Sequence, residues 1–126
     1  MISICKLSYD QIKKLTKEMV ILIDTREKEN SHITNYFDKK GIKYKKQALE
    51  FGDYSFMLPQ VDGLTGNELY FHKEIIIERK NSLEELSGNL GKNRDRFEKE
   101  FLKARNSGIS IHLMVENPQG YNDYKC

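Results

Sequence analysis

Ile75-Ile76-Ile77-Glu78-Arg79-Lys80 is the stretch on which the reading of this chain turns. Three consecutive β-branched apolar residues favour an extended backbone covered on both faces, so the segment reads as a central buried strand. It delivers Glu78, Arg79 and Lys80 at its exit. Side chains two apart on a strand share a face, so Glu78 and Lys80 project together while Arg79 points away.

Working outward, Met19-Val20-Ile21-Leu22-Ile23 is a second apolar run and ends at Asp24, with Glu27 just beyond. It has the pattern of a strand covered on both faces, with polar chemistry at its carboxyl end, where α/β folds tend to place function. Tyr54, Phe56 and Leu58 alternate with Ser55 and Met57 up to Pro59, a further strand that opens on Asp53. Between these runs, Ile33, Tyr36 and Phe37 at helical spacing predict a helix over 31–40 that stops at Gly41. The segment 42–49 reads as extended, forming a strand pair with the Tyr54 run. Turn residues Asp62, Gly63, Gly66 and Asn67 predict a hairpin across 60–67.

On the flanks, Ser8 and Gln11 are spaced as a capping box, with Leu7 set to staple onto Ile12, so a short helix precedes the core. Ser82 with Glu85 repeats the pattern after Lys80, ahead of a helix shortened or broken by Gly88 and Gly91. A helix over 94–107 carries Phe97, Phe101 and Ala104 on one face and stops at Gly108. Ile109, Ile111, Leu113 and Val115 then alternate with Ser110, His112 and Met114 as a last strand that ends before Pro118. Strands interleaved with helices make the fold class α/β.

A chain of 126 residues suits one compact domain over 1–126, with its core at about 19–118 and an N-terminal helical extension over 1–18. With 38% hydrophobic and 32% charged residues and no long apolar run, the composition is that of an intracellular globular protein without a membrane span. Residues 1–6 lack the features of a secretory signal. Cys5 and Cys126 lie near opposite ends, which predicts neither a disulfide framework nor a paired-thiolate zinc site. A net charge of +2 is too small to indicate nucleic acid by itself, so any such argument must come from local residues.

Acids therefore stand at three strand ends, Asp24 with Glu27, Asp53, and Glu78, with Lys80 two residues after the last. That group suits phosphodiester hydrolysis, in which oxygen ligands hold a hard cation, a water is oriented and charge on the phosphoryl oxygens is neutralised. Magnesium takes only one or two protein carboxylates and keeps several waters. Asp53 and Glu78, with the carbonyl of Arg79, are the expected shell. Lys80 orients or helps deprotonate the attacking water, Asp24 extends the shell or holds a second metal, and Glu27 acts through a water.

Asp24-Thr25-Arg26-Glu27, then Gly52-Asp53-Tyr54, then Ile76-Ile77-Glu78-Arg79-Lys80 together resemble the nuclease core of the XPF-type structure-specific endonucleases. The likeness runs over about 20–116 and includes Arg94 to Phe97, similar to that family's arginine-bearing helix. It implies a restriction-endonuclease-like core, a central mixed β-sheet flanked by helices. It also implies Mg2+- or Mn2+-dependent cleavage of branched, flap or fork DNA in repair, recombination or replication, and often a homodimer or heterodimer. Two departures stand out. Glu84 occupies the place of the family's final Asp, and the chain stops at Cys126 where further helices and a DNA-binding module usually follow, which predicts a truncated or minimal version.

Taken singly, Asp24 and Asp53 also read as turn or capping residues; jointly they favour a site. Arg26 holds either Glu27 or a phosphate, and Arg79 either a structural carboxylate or a phosphate; both are candidate DNA contacts, as is Arg94. Lysines 39, 40, 43, 45 and 46, and the cations from Lys92 to Arg105, either track a phosphate backbone or form solvated faces. The three histidines lack metal-ligand spacing. The rival functions are a nuclease fold without turnover that binds DNA or scaffolds a partner, and a hydrolase of another phosphodiester such as RNA.

Overall fold

The computed structural model describes residues 7–116. Cys5, Cys126 and Pro118, and the expectations attached to them, lie outside these residues. Helix α1 (Tyr9–Glu18) is followed by β1 (Val20–Ile23), α2 (Ser31–Lys40), β2 (Lys43–Lys46), β3 (Tyr54–Leu58) and β4 (Leu69–Tyr70). Then come β5 (Ile75–Lys80), α3 (Leu83–Leu90), α4 (Arg94–Asn106) and β6 (Ser110–Val115). The capping box at α1 forms as expected, with Ser8 Oγ accepting from Gln11 N–H and Gln11 Oε1 accepting from Ser8 N–H. Among the described residues no helix is long and apolar enough to cross a membrane.

The strands make one mixed sheet in the order β2-β1-β3-β5-β6, with β4 paired to β3. β1 and β2 are parallel, as are β5 and β6, and β3 runs antiparallel to β1 and β5 between them. The β3–β4 hairpin is present, with Met57 opposite Tyr70. The expected pairing of the 42–49 segment with the Tyr54 run is not. The strand there is only Lys43–Lys46, and β1 lies between it and β3. A fully apolar strand such as β1 hides both faces and both edges best from an inner position, and it displaces the lysine-rich β2 to the rim.

Three apolar clusters fix the layers. Leu22, Leu49 and Met57 pack together; Ile76 packs with Ala104 of α4 and Ile109; Leu15 of α1 packs with Leu58 and Val61. Ser55, which alternation would send to solvent, is buried and donates its hydroxyl to the Ile75 carbonyl at 2.7 Å, because β3 is the middle strand with both faces covered. Glu78, Arg79 and Lys80 are the last three residues of β5 itself rather than the loop after it.

The direction of β3 matters most for the site. Running against its neighbours, it begins where β1 and β5 end. Register places Ile23, Tyr54 and Ile77 in one row across three strands. One step further, the Asp24 N–H donates to the Asp53 carbonyl and the Asp53 N–H to the Ile77 carbonyl, both at 2.8 Å. Asp24, Asp53 and Glu78 thus meet at one end of the sheet.

Candidate active site

Asp24, Asp53 and Glu78 line a single cleft of about 450 Å³, together with Arg26, Phe51, Gly52 and the α4 residues Phe97, Glu100 and Lys103. Apolar β1 and β5 carry the acids to the rim, and Gly52 lets the start of β3 come close. Gly52 has φ of +75°, and a Cβ there would lie 2.7 Å from Ile76 Cδ1 and 3.2 Å from the Ile77 carbonyl oxygen. No other residue satisfies both demands.

The three acids are not equivalent. Asp24 is 2% exposed and both its oxygens are engaged: Oδ1 accepts the Leu49 N–H at 2.8 Å, and Oδ2 accepts from Arg26 Nε at 2.8 Å. Burial pushes its pKa up, but these hydrogen bonds and the Arg26 charge outweigh burial and leave it below the usual value. Asp24 therefore fastens the 47–53 loop to the end of β1. Asp53 receives the Arg79 N–H on Oδ2 at 2.8 Å, and burial raises its pKa. Glu78 is pushed up to about 7, by burial first and then by the charge of Asp53, against the opposing pull of Lys80.

Lys80 lies on the Glu78 face, as the strand period requires, with Nζ 3.7 Å from Glu78 Oε1. It is buried, and its ammonium sits 5.3 Å from the centre of the Phe97 ring, so α4 supplies the seat on which the lysine rests.

Arg79 points to the other face, and its side chain is 2% exposed. Its Nε donates to Glu27 Oε2 at 2.7 Å, Nη1 to Glu116 Oε2 at 3.1 Å and Nη2 to the Lys28 carbonyl at 2.8 Å. Glu116 in turn bonds His32 of α2 at 2.9 Å. Of the two alternatives for Arg79, the structural carboxylate is the one this geometry provides, and Glu27 is its partner. Arg26 keeps an exposed side chain over the cleft, anchored at Nη2 by the Leu49 carbonyl at 3.0 Å. Arg94 lies on the outer side of α4, paired with Glu98 at 2.7 Å, and does not line the cleft; nor does Glu84, in the first turn of α3.

Glu100 and Phe97 are cleft residues that the sequence did not assign to the site, and Lys103 was one cation in a run. The period of Phe97, Phe101 and Ala104 marked one face of α4 as core-facing, and nothing in it shows that the helix overhangs the acids.

Among the described residues no group of three or more His, Cys, Asp or Glu side chains stands ready to hold a metal ion. Asp24, expected to extend the shell or hold a second metal, lines the same cleft with each of its oxygens already accepting a hydrogen bond. What remains is a pair of carboxylates, Asp53 and Glu78, whose pKa values are raised partly or mainly by burial, and by their own repulsion at Glu78. Two hard oxygen donors match the small protein contribution that magnesium takes. A cation would also relieve the repulsion between them.

A family model, the ERCC4 domain, matches residues 23–126 of the chain. Comparison with curated proteins and with solved structures returns no match.

Proposed function

We propose that this chain, which belongs to the ERCC4 domain family of nuclease-type domains, is a divalent-metal-dependent endonuclease that hydrolyses phosphodiester bonds in DNA at flaps, forks or other branches. The observation that carries this reading is the sheet-end row that sets Asp53 beside Glu78, whose pKa is pushed up to about 7 by burial and then by the Asp53 charge, with Lys80 on the same face.

Asp53, Glu78 and the Arg79 carbonyl would hold the ion. Bound magnesium or manganese supplies a Lewis acid for the phosphoryl oxygen and an acidified water. The chain's own residues do the rest. Lys80, held between Glu78 and the Phe97 ring, donates hydrogen bonds to the attacking water and to the phosphoryl oxygens as their charge builds. Water attacks phosphorus and gives up a proton to solvent, the bond to the leaving sugar oxygen breaks, and that oxygen takes up a proton from solvent. Asp24 acts as a positioning residue, because its carboxylate holds the loop that presents Asp53. Arg26, 72% exposed on the cleft rim, binds a phosphate flanking the cut. Assembly with a second subunit, the same chain or another, is supported by the partly exposed Leu113 and Met114 on edge strand β6.

A panel of linear, flap, fork and four-way DNA, with a matching RNA flap, tests this reading with and without Mg2+ or Mn2+. Metal-dependent cutting of branched DNA is the expected result. Binding without cutting would support the turnover-free module, and preference for the RNA would move the assignment to another phosphodiester.

A further inference from the structure

Two basic runs stand in the sequence, and the structure treats them differently. On α4 the two arginines of the first turn, Arg94 and Arg96, pair with the helix's own acids, Glu98 at 2.7 Å and Glu100 at 3.9 Å, and Lys103 lines the cleft itself. The second run, Lys39 and Lys40 in the last turn of α2 with Lys43, Lys45 and Lys46 on β2, is exposed at all five lysines. Among the described residues only Lys43 finds a carboxylate, Glu18 at 2.7 Å. Lys45 reaches the Tyr70 hydroxyl instead, and the nearby Asp38 is occupied by the Tyr44 hydroxyl. This run therefore keeps its charge.

Its position is as informative as its charge. β2 is the rim strand beside β1 and parallel to it, with Lys45 in register with Leu22 and Lys46 with Ile23. Strand alternation puts Lys45 on the same face as Leu22 and hence as Asp24. With strands about 4.8 Å apart and a rise of about 3.3 Å per residue, Lys45 and Lys46 stand within about 10 Å of Asp24 along the sheet. A polyanion whose scissile phosphate lay at Asp53 and Glu78 would pass along this edge within one or two nucleotide steps. Exposed, unneutralised lysines spaced along a straight edge suit a phosphate backbone, which asks for charge and not for base reading.

We propose that the edge formed by β2 and the end of α2 is a docking rail for the duplex arm of a DNA substrate, with Lys39, Lys40, Lys45 and Lys46 contacting its phosphates. The proposal rests on the nuclease reading of the neighbouring cleft. It assigns the rail affinity and orientation, and leaves bond cleavage to the cleft.

The test is the salt dependence of binding a fluorescent fork DNA in EDTA, where no cutting occurs. It compares the wild-type chain with Lys45→Gln/Lys46→Gln and with the fourfold variant that adds Lys39→Gln and Lys40→Gln. Each lost phosphate contact should flatten the slope of log K against log salt by about 0.9, so the double variant loses ~2 units and the fourfold variant ~4. With metal restored at subsaturating DNA, both variants should cut more slowly than the wild type, the fourfold variant more so. A fourfold variant that stays monodisperse and binds with the wild-type slope overturns the rail while leaving the nuclease reading intact. A wild-type chain that binds no DNA overturns both.

Discussion

Glu78 sits where its ionised form is disfavoured, since burial and the neighbouring Asp53 together hold its pKa near 7. In the unfolded chain it titrates near 4.5, so the folded state keeps the proton longer. Stability must then fall as pH rises from about 4.5 to about 7, and the penalty is complete above that window. Without metal, Glu78→Gln should raise folding stability at pH 8 by about 2 kcal/mol, and have little effect near pH 4. Urea melts of both proteins in EDTA at the two pH values measure this; equal gains at both would remove the pH argument. The same substitution should abolish cutting, which marks Glu78 as a residue kept for function against stability.

Arg79 is the opposite case. Its guanidinium ties the end of β5 to Glu27, Glu116 and the Lys28 carbonyl, and removing it leaves the Glu27 carboxylate, 9% exposed, without its partner. Arg79→Met should cost about 3 kcal/mol in a denaturant melt, whereas Arg94→Met on the exposed face of α4 should leave the melt nearly unchanged. A small loss at Arg79 would show that the network is not structural. At this scale the sequence displayed the motif residues clearly, because acids and a lysine at the ends of apolar runs are uncommon without a purpose. It could not display where each side chain goes. Asp24 looks like a ligand in the sequence, and only the folded loop reveals the Leu49 N–H and the Arg26 guanidinium that occupy it.

At the scale of elements, the meeting of β3 with β5 depends on Gly52. A methyl group there would collide with Ile76 and crowd the Ile77 carbonyl, on a backbone that side-chain-bearing residues avoid. Gly52→Ala should destabilise the fold by about 2 kcal/mol and weaken manganese binding measured by calorimetry, since Asp53 is the next residue. Retention of both properties would mean that the loop has room not visible in the structure. Helix α4 contributes through Phe97, the surface under Lys80. Phe97→Leu keeps the apolar contact and removes the ring's charge distribution, so the cutting rate should fall by about fivefold with stability nearly unchanged, a loss on the order of 1 kcal/mol. Helix and strand positions were legible from periodicity and caps. The neighbour of β2 was not, because alternation and composition report that a segment is extended and say nothing of which strand lies beside it.

For the molecule as a whole, function follows from one topological fact: an antiparallel β3 between two parallel pairs brings the beginning of one strand to the ends of two others. That fact gathers Asp53 with Asp24 and Glu78, while the lysine rim of β2 lies on the far side of β1. The α/β class and the acids' placement at strand ends could be inferred from residue order. The sheet order and the overhang of α4 arise only when distant segments pack. The central claim is that Asp53, Glu78 and Lys80 form a working hydrolytic centre. Single-turnover cleavage of a fork by the wild-type chain, Asp53→Asn and Lys80→Met, each shown to be folded by circular dichroism, addresses it most directly. Metal-dependent cutting by the wild type, with a loss of at least about a hundredfold in both variants, is the predicted result. Variants that cut within twofold of the wild type would contradict it.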